Sequence, residues 1–199
     1  LAPASAKEKA PTYKLTKEVQ AALAEAQKLQ QAGDLNGAAV KANEGVAAAK
    51  SGDDKFVAGQ IMYGVAQARK DQAGLEQGTR LMLDSGKAPA DLKRQLMQNL
   101  AVFAVQKKDY PGALKQFQAL NTAYPNDPDI TVSLAEMYQA NKMTPQAVQT
   151  LQQAIDAKKA TGQPVPESWY QRMLAVGYDA KRAHLSVPSS AGPNGITVN

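Results

Sequence analysis

At 199 residues and 21.1 kDa the chain is long enough for one domain of ordinary size, able to bury about 70% of its unfolded surface without a metal or disulfide to hold it together. It has no Cys, one His, one Trp and three Phe, which excludes a thiol nucleophile, a cysteine zinc site, a disulfide and a His-rich metal site. Its 23 Lys and Arg against 18 Asp and Glu leave a net charge of +5, but the two signs are interspersed, where a nucleic-acid binder would carry a basic stripe interleaved with aromatics.

The first residues, Leu1-Ala2-Pro3-Ala4-Ser5-Ala6-Lys7, hold an Ala-x-Ala pattern followed by charge. That is how the end of a secretory signal peptide reads, so an exported, periplasmic chain is expected, with a cytoplasmic one as the alternative. Residues 1–14 are expected to form a flexible arm. No apolar run approaches the roughly 18 residues needed to span a bilayer.

From Leu15 the chain is rich in Ala, Leu, Gln, Lys and Glu, and it is broken by short stretches such as Gly33-Asp34, Lys108-Asp109-Tyr110-Pro111 and Tyr124-Pro125-Asn126-Asp127-Pro128. Good helix formers between such breaks predict an all-α fold of helices about 12 to 17 residues long, joined by short turns. The lysine pairs Lys107-Lys108 and Lys158-Lys159 stand where helices would end.

The helices repeat. Leu100-Ala101-x-x-Ala104 returns 34 residues later as Leu134-Ala135-x-x-Tyr138, and Ala113-x-x-x-Phe117 returns at the same interval as Ala147-x-x-x-Leu151. Gly33-Asp34-Leu35-Asn36-Gly37-Ala38 matches Lys108-Asp109-Tyr110-Pro111-Gly112-Ala113, and Leu174-Ala175-x-x-Tyr178 repeats the pattern once more. An alanine where two helices cross lets them approach to about 8 Å, and the large residue four positions on fills the gap to the next pair.

A 34-residue helix-turn-helix period with these residues resembles the tetratricopeptide repeat family over about residues 19 to 182. The resemblance implies a right-handed α-solenoid of antiparallel helix pairs, with about four repeats plus a C-terminal helix, over 15–183. The best repeat runs from Arg94 to Asp127, with Ala101 and Ala113 at the small positions, Phe117 at the large one and Pro125 at the terminating proline. The next starts at Pro128 and has Lys159 in place of the proline. A first unit is fitted by Ala26, Leu29, Ala38 and Ala42, with Glu25 and Gly45 where apolar or larger residues are expected. A second is fitted by Ile61, Met62, Val65, Gly74 and Leu81. The fifth, from Pro166, has one helix and serves as a cap or as half of a repeat.

A stacked array of this kind binds protein or peptide on the concave face of its first helices, which makes the chain a non-catalytic scaffold or adaptor. The positions expected there are Gln95, Gln98, Asn99, Val102 and Gln106 in the third unit, Asp129, Ser133, Glu136 and Gln139 in the fourth, and Trp169, Arg172, Met173 and Val176 in the last helix. Asn and Gln both donate and accept, so they can pair with a peptide backbone of any charge. Trp169 is expected either as an aromatic anchor or as the seal of the last helix on the repeat before it. Asn99 stands where some members place one Asn of a carboxylate clamp, but Asp129 and Val132 stand where a Lys would be needed, which argues against capture of a chaperone tail.

Catalysis finds no support. His184 has no Ser or Asp spaced for a triad, the pairs Asp53-Asp54 and Asp127/Asp129 sit where Asp caps helices or forms turns, and no Gly-rich phosphate loop occurs. No cofactor is implied. The alternative to an adaptor is a structural unit that assembles with its own copies through the terminal repeat or the tail. Residues 184–199 are rich in Ser, Pro and Gly and too poor in apolar residues for a core; the alternative there is that Ile196-Thr197-Val198 docks as an extended peptide.

Overall fold

The structure, a computed structural model, describes residues 12–185, with side chains through residue 178. The start on which export was expected and the apolar end Ile196–Val198 lie outside those residues. Among the described residues there are nine α-helices and no strand: α1 (Lys17–Gln31), α2 (Leu35–Ala48), α3 (Gly52–Arg69), α4 (Gln72–Asp84), α5 (Ala90–Gln106), α6 (Tyr110–Ala123), α7 (Pro128–Ala140), α8 (Thr144–Ala160) and α9 (Glu167–Leu185). The chain divides into two units, the first ending at Gln106 and the second beginning at Lys107. The division falls inside the stretch Arg94–Asp127 that the sequence marks as its best repeat. In the first unit α1 packs on α2, α2 on α3, α3 on α4 and α4 on α5; in the second α6 packs on α7, α7 on α8 and α8 on α9.

The turns that follow α1, α3, α5 and α7 are built alike. Gly33, Lys70, Lys108 and Lys142 each adopt a left-handed conformation, with φ of 85°, 56°, 58° and 59°. In three of the four an aspartate follows and caps the next helix: Asp34 accepts from the Gly37 N–H at 2.8 Å, Asp71 from those of Ala73 and Gly74 at 3.1 Å, and Asp109 from that of Gly112 at 2.9 Å. These bonds satisfy amides that the first helical turn leaves without partners. In each case the third helical residue is glycine, and at Gly37 and Gly112 a β-carbon would run into the folded-back cap carboxylate. At Gly74 a β-carbon would stand 2.7 Å from the Ala66 β-carbon of α3, so this glycine holds the small position at the crossing of α3 and α4 that the sequence expects of it.

Crossings in the first unit depend on missing β-carbons. Gly59 of α3 and Gly78 of α4 lie backbone against backbone, so that a β-carbon on Gly59 would sit 2.9 Å from the Gly78 carbonyl oxygen. Gly45, at a place where a larger residue was expected, is buried where α2 meets α1, and a β-carbon on it would stand 2.5 Å from Leu23 Cδ2. Ala38, Ala101, Ala113 and Ala147 are fully buried or nearly so, as the repeat pattern requires, while Phe117 is half-buried.

Two residues of the expected arm are docked. The Tyr13 ring lies 4.9 Å from that of Phe56, the Lys14 N–H donates to Asp53 Oδ2 at 2.9 Å, and the Thr16 N–H donates to Asp54 Oδ1 at 2.9 Å. Asp54 is fully buried and also closes a capping box with Ser51, so it serves as a joint between the start of α1 and the start of α3.

Candidate functional site

Helices α3 and α5 both pack on α4 in the first unit. Each presents two polar residues to one cavity of about 280 Å³: Gln60 and Tyr63 from α3, and Gln95 and Asn99 from α5. Spacings of three and four residues place each couple on one helical face. Met82, Leu92 and Leu96 supply an apolar floor, and Met82 and Leu96 belong to the core around Phe56. None of the four polar side chains makes a hydrogen bond or ion pair among the described residues. The groove thus joins uncommitted amides and a phenol to an apolar base. Its volume lies just below the ~300 Å³ at which small-molecule pockets begin, enough for a side chain or two of an extended peptide whose backbone pairs with the amides.

Of the concave-face residues expected in α5, Gln95 and Asn99 meet in this groove. Gln98 is half-buried and Val102 is 46% exposed, and neither lines it. Gln106 is tied down at the end of α5, accepting a hydrogen bond from Gln72 at the start of α4. Gln60 and Tyr63 were missed by sequence reasoning. The signal was present: Gln60-Ile61-Met62 returns as Gln95-Leu96-Met97, and Val65-Ala66 as Leu100-Ala101, but the glycines of α3 hide it.

The second unit distributes its expected residues differently. The Ser133 hydroxyl donates to the Asp129 carbonyl, and Asp129 faces Lys158 at 3.9 Å. Glu136 of α7 and Arg172 of α9 form an ion pair, and Gln139 is half-buried. Val132 is in the core, which removes it from any groove.

Helix α9 corrects the expectation most clearly. Trp169 is 6% exposed and packs with Val132, Ala135, Leu151, Ala154 and Ile155; Met173 packs against the same cluster, and Val176 is buried. These residues seal α9 onto α7 and α8 and do not face a groove. The side that the repeat pattern marks as core is open instead, with Leu174 74% exposed. A helix of this kind has two apolar sides, one for the preceding pair and one for its own partner, and here the first is the one that is covered.

The acidic pairs have structural work. Asp54 is the buried joint already described. Its burial would raise its pKa, but the N–H groups of Thr16, Ser51 and Lys50 and the Ser51 hydroxyl outweigh that and hold the carboxyl below its ordinary value. Asp53 is held low by the Lys14 N–H and then by the Lys87 ammonium, 3.2 Å away. Asp127 caps α7. Among the described residues no group of three or more His, Cys, Asp or Glu could hold a metal, and no helix is long and apolar enough to cross a membrane.

Residues 104–162 match the family model of the tetratricopeptide repeat. No curated protein matches the chain significantly. Among solved structures the chain is similar to MamA 41-end from Desulfovibrio magneticus RS-1, with 12% identity, 86% of this chain and 90% of that one covered, and a TM-score of 0.48. It is also similar to pilF of Pseudomonas aeruginosa, with 16% identity, coverage of 83% and 70%, and a TM-score of 0.47.

Proposed function

We propose that this chain, whose residues 104–162 match the tetratricopeptide repeat, is a non-catalytic scaffold which binds an extended protein segment in the groove between α3 and α5. One observation carries this reading: Gln60, Tyr63, Gln95 and Asn99 converge above an apolar floor with no internal partners among the described residues. An amide and a phenol from α3 and two amides from α5 suit a peptide backbone, whose N–H and C=O groups alternate, better than they suit a single charged group. The Ala-x-Ala start supports an exported scaffold.

The test is selection of a displayed random-peptide library on the full chain, followed by affinity measurement on Gln60→Ala and Asn99→Ala. Each substitution should weaken the selected peptides by about ten-fold or more, as removal of a central contact does. Peptides that bind both variants as tightly as the parent would place the working surface elsewhere. The second expectation, assembly with copies of itself, draws on a different surface, the open side of α9.

A further inference from the structure

The helices that wall the groove keep it free of charge. One residue in five of the chain is charged, yet α3 carries no acid or base from Phe56 to Ala68 and α5 none from Gln95 to Gln106. Gln60, Gln95 and Val102 are exposed and Tyr63 and Asn99 half-buried, so the neutrality belongs to a surface, where charges are ordinarily free to stand. The lining of the groove holds no Asp, Glu, Lys, Arg or His. Other cavities differ. The one between α1 and α2 holds three glutamates and a lysine, and the one among α2, α3 and α4 holds an arginine and an aspartate.

We infer, on the peptide-binding reading of this groove, that it selects a segment that is uncharged where it enters, with one large apolar side chain seated on Met82, Leu92 and Leu96. A charged side chain on that floor would give up water and meet no opposite charge, since the amides and the phenol offer hydrogen bonds alone. A large apolar side chain gains by leaving water there, and Met82, unbranched and flexible, adapts to its shape. Extended backbone turns successive side chains to opposite sides. The residues next to the seated one therefore point away from the floor and are free to be charged. Selectivity at this site runs through rejection of charge as much as through attraction of apolar surface.

The experiment takes peptides selected from the displayed library on the full chain and measures their affinity by fluorescence anisotropy. One apolar position, Leu, Ile, Met or Phe, should dominate an alanine scan of each peptide. Lys or Glu at that position should weaken binding by about ten-fold or more. Either charge at the position next to it should change affinity by less than about three-fold, and affinity should be nearly the same in about 50 mM and about 500 mM salt. Peptides that are lost on Gln60→Ala and Asn99→Ala, yet tolerate Lys or Glu at the dominant position, would overturn this inference and leave the groove as the binding surface. A dominant position that is itself charged, or an affinity that falls steeply with salt, would do the same. Peptides indifferent to both substitutions, or a library that yields no binder, would overturn the peptide-binding reading and this inference with it.

Discussion

A β-carbon placed on Gly78 would stand 2.8 Å from the carbonyl oxygen of Gly59, so α3 and α4 touch through their backbones and neither residue can gain a methyl group without moving a helix. Gly78→Ala should therefore destabilise the first unit by about 2–3 kcal/mol, in the range of core overpacking. Gly64→Ala is the control. It lies in the same helix α3 with open space around its missing β-carbon, and it should raise stability by about 0.5–1 kcal/mol through helix propensity alone. Denaturant melts of both variants check the pair; equal effects would contradict the crossing.

The left-handed lysines predict the opposite response to glycine. Lys70, Lys108 and Lys142 hold conformations that cost an L-residue about 1 kcal/mol, and Gly33 shows the residue that fits without strain. Each Lys→Gly exchange should stabilise by about 0.5 kcal/mol after the added freedom of the unfolded chain is deducted. Thermal melts of the triple variant would read a rise of a few degrees, and a fall would show that the lysine side chains contribute more than their backbones cost.

Acid should loosen the joint at Asp54. Its pKa is lowered in the folded chain from an ordinary value of 3.8, so the unfolded chain binds the proton more readily and stability rises with pH. The contribution is whole well above pH 4 and is lost as the pH falls through the lower folded-state value; Asp53 adds in the same direction. Asp54→Asn should cost about 2 kcal/mol at neutral pH, because four donors, the N–H groups of Thr16, Ser51 and Lys50 and the Thr16 hydroxyl, lose a charged acceptor, and should flatten the dependence of stability on pH in the acid range. Melts of the parent and variant between pH 3 and pH 7 check the sign.

Trp169 is the sole tryptophan and is packed between helices. Trp169→Ala should cost the second unit about 3–5 kcal/mol, the loss expected for a large aromatic removed from a core. The parent's fluorescence should be blue-shifted and should follow the unfolding of α7, α8 and α9. A variant that keeps its stability but loses a bound partner would return Trp169 to the role of an anchor.

Helix positions and pairings were legible in the sequence because the apolar period and the Gly-Asp and Pro breaks are local signals. What escaped was the use of each face. Gly59, Gly78 and Gly45 look like faults in the repeat until the helices they join are seen to touch through them. Trp169 and Leu174 lie five residues apart on opposite sides of α9; the pattern alone marks both sides as apolar, and only packing tells which one is covered. Half of the groove came through, as Gln95 and Asn99, since α5 keeps the repeat's Leu-Ala spacing. Its other half, Gln60 and Tyr63, lay in a helix where Val65-Ala66 stands for the repeat's Leu-Ala and Gly59 and Gly64 interrupt the pattern around it.

The turns suggest how such a chain can change its length. Lys70 and Lys108 share a left-handed φ, 56° and 58°, and each is followed by a capping aspartate and a glycine at the third helical position. A chain cut after Lys70 and rejoined at Asp109 would cross the junction in a conformation that already exists on both sides. The left-handed residue and its aspartate are thus a standard coupling, at which a helix pair can be lost or duplicated without a new turn having to be invented.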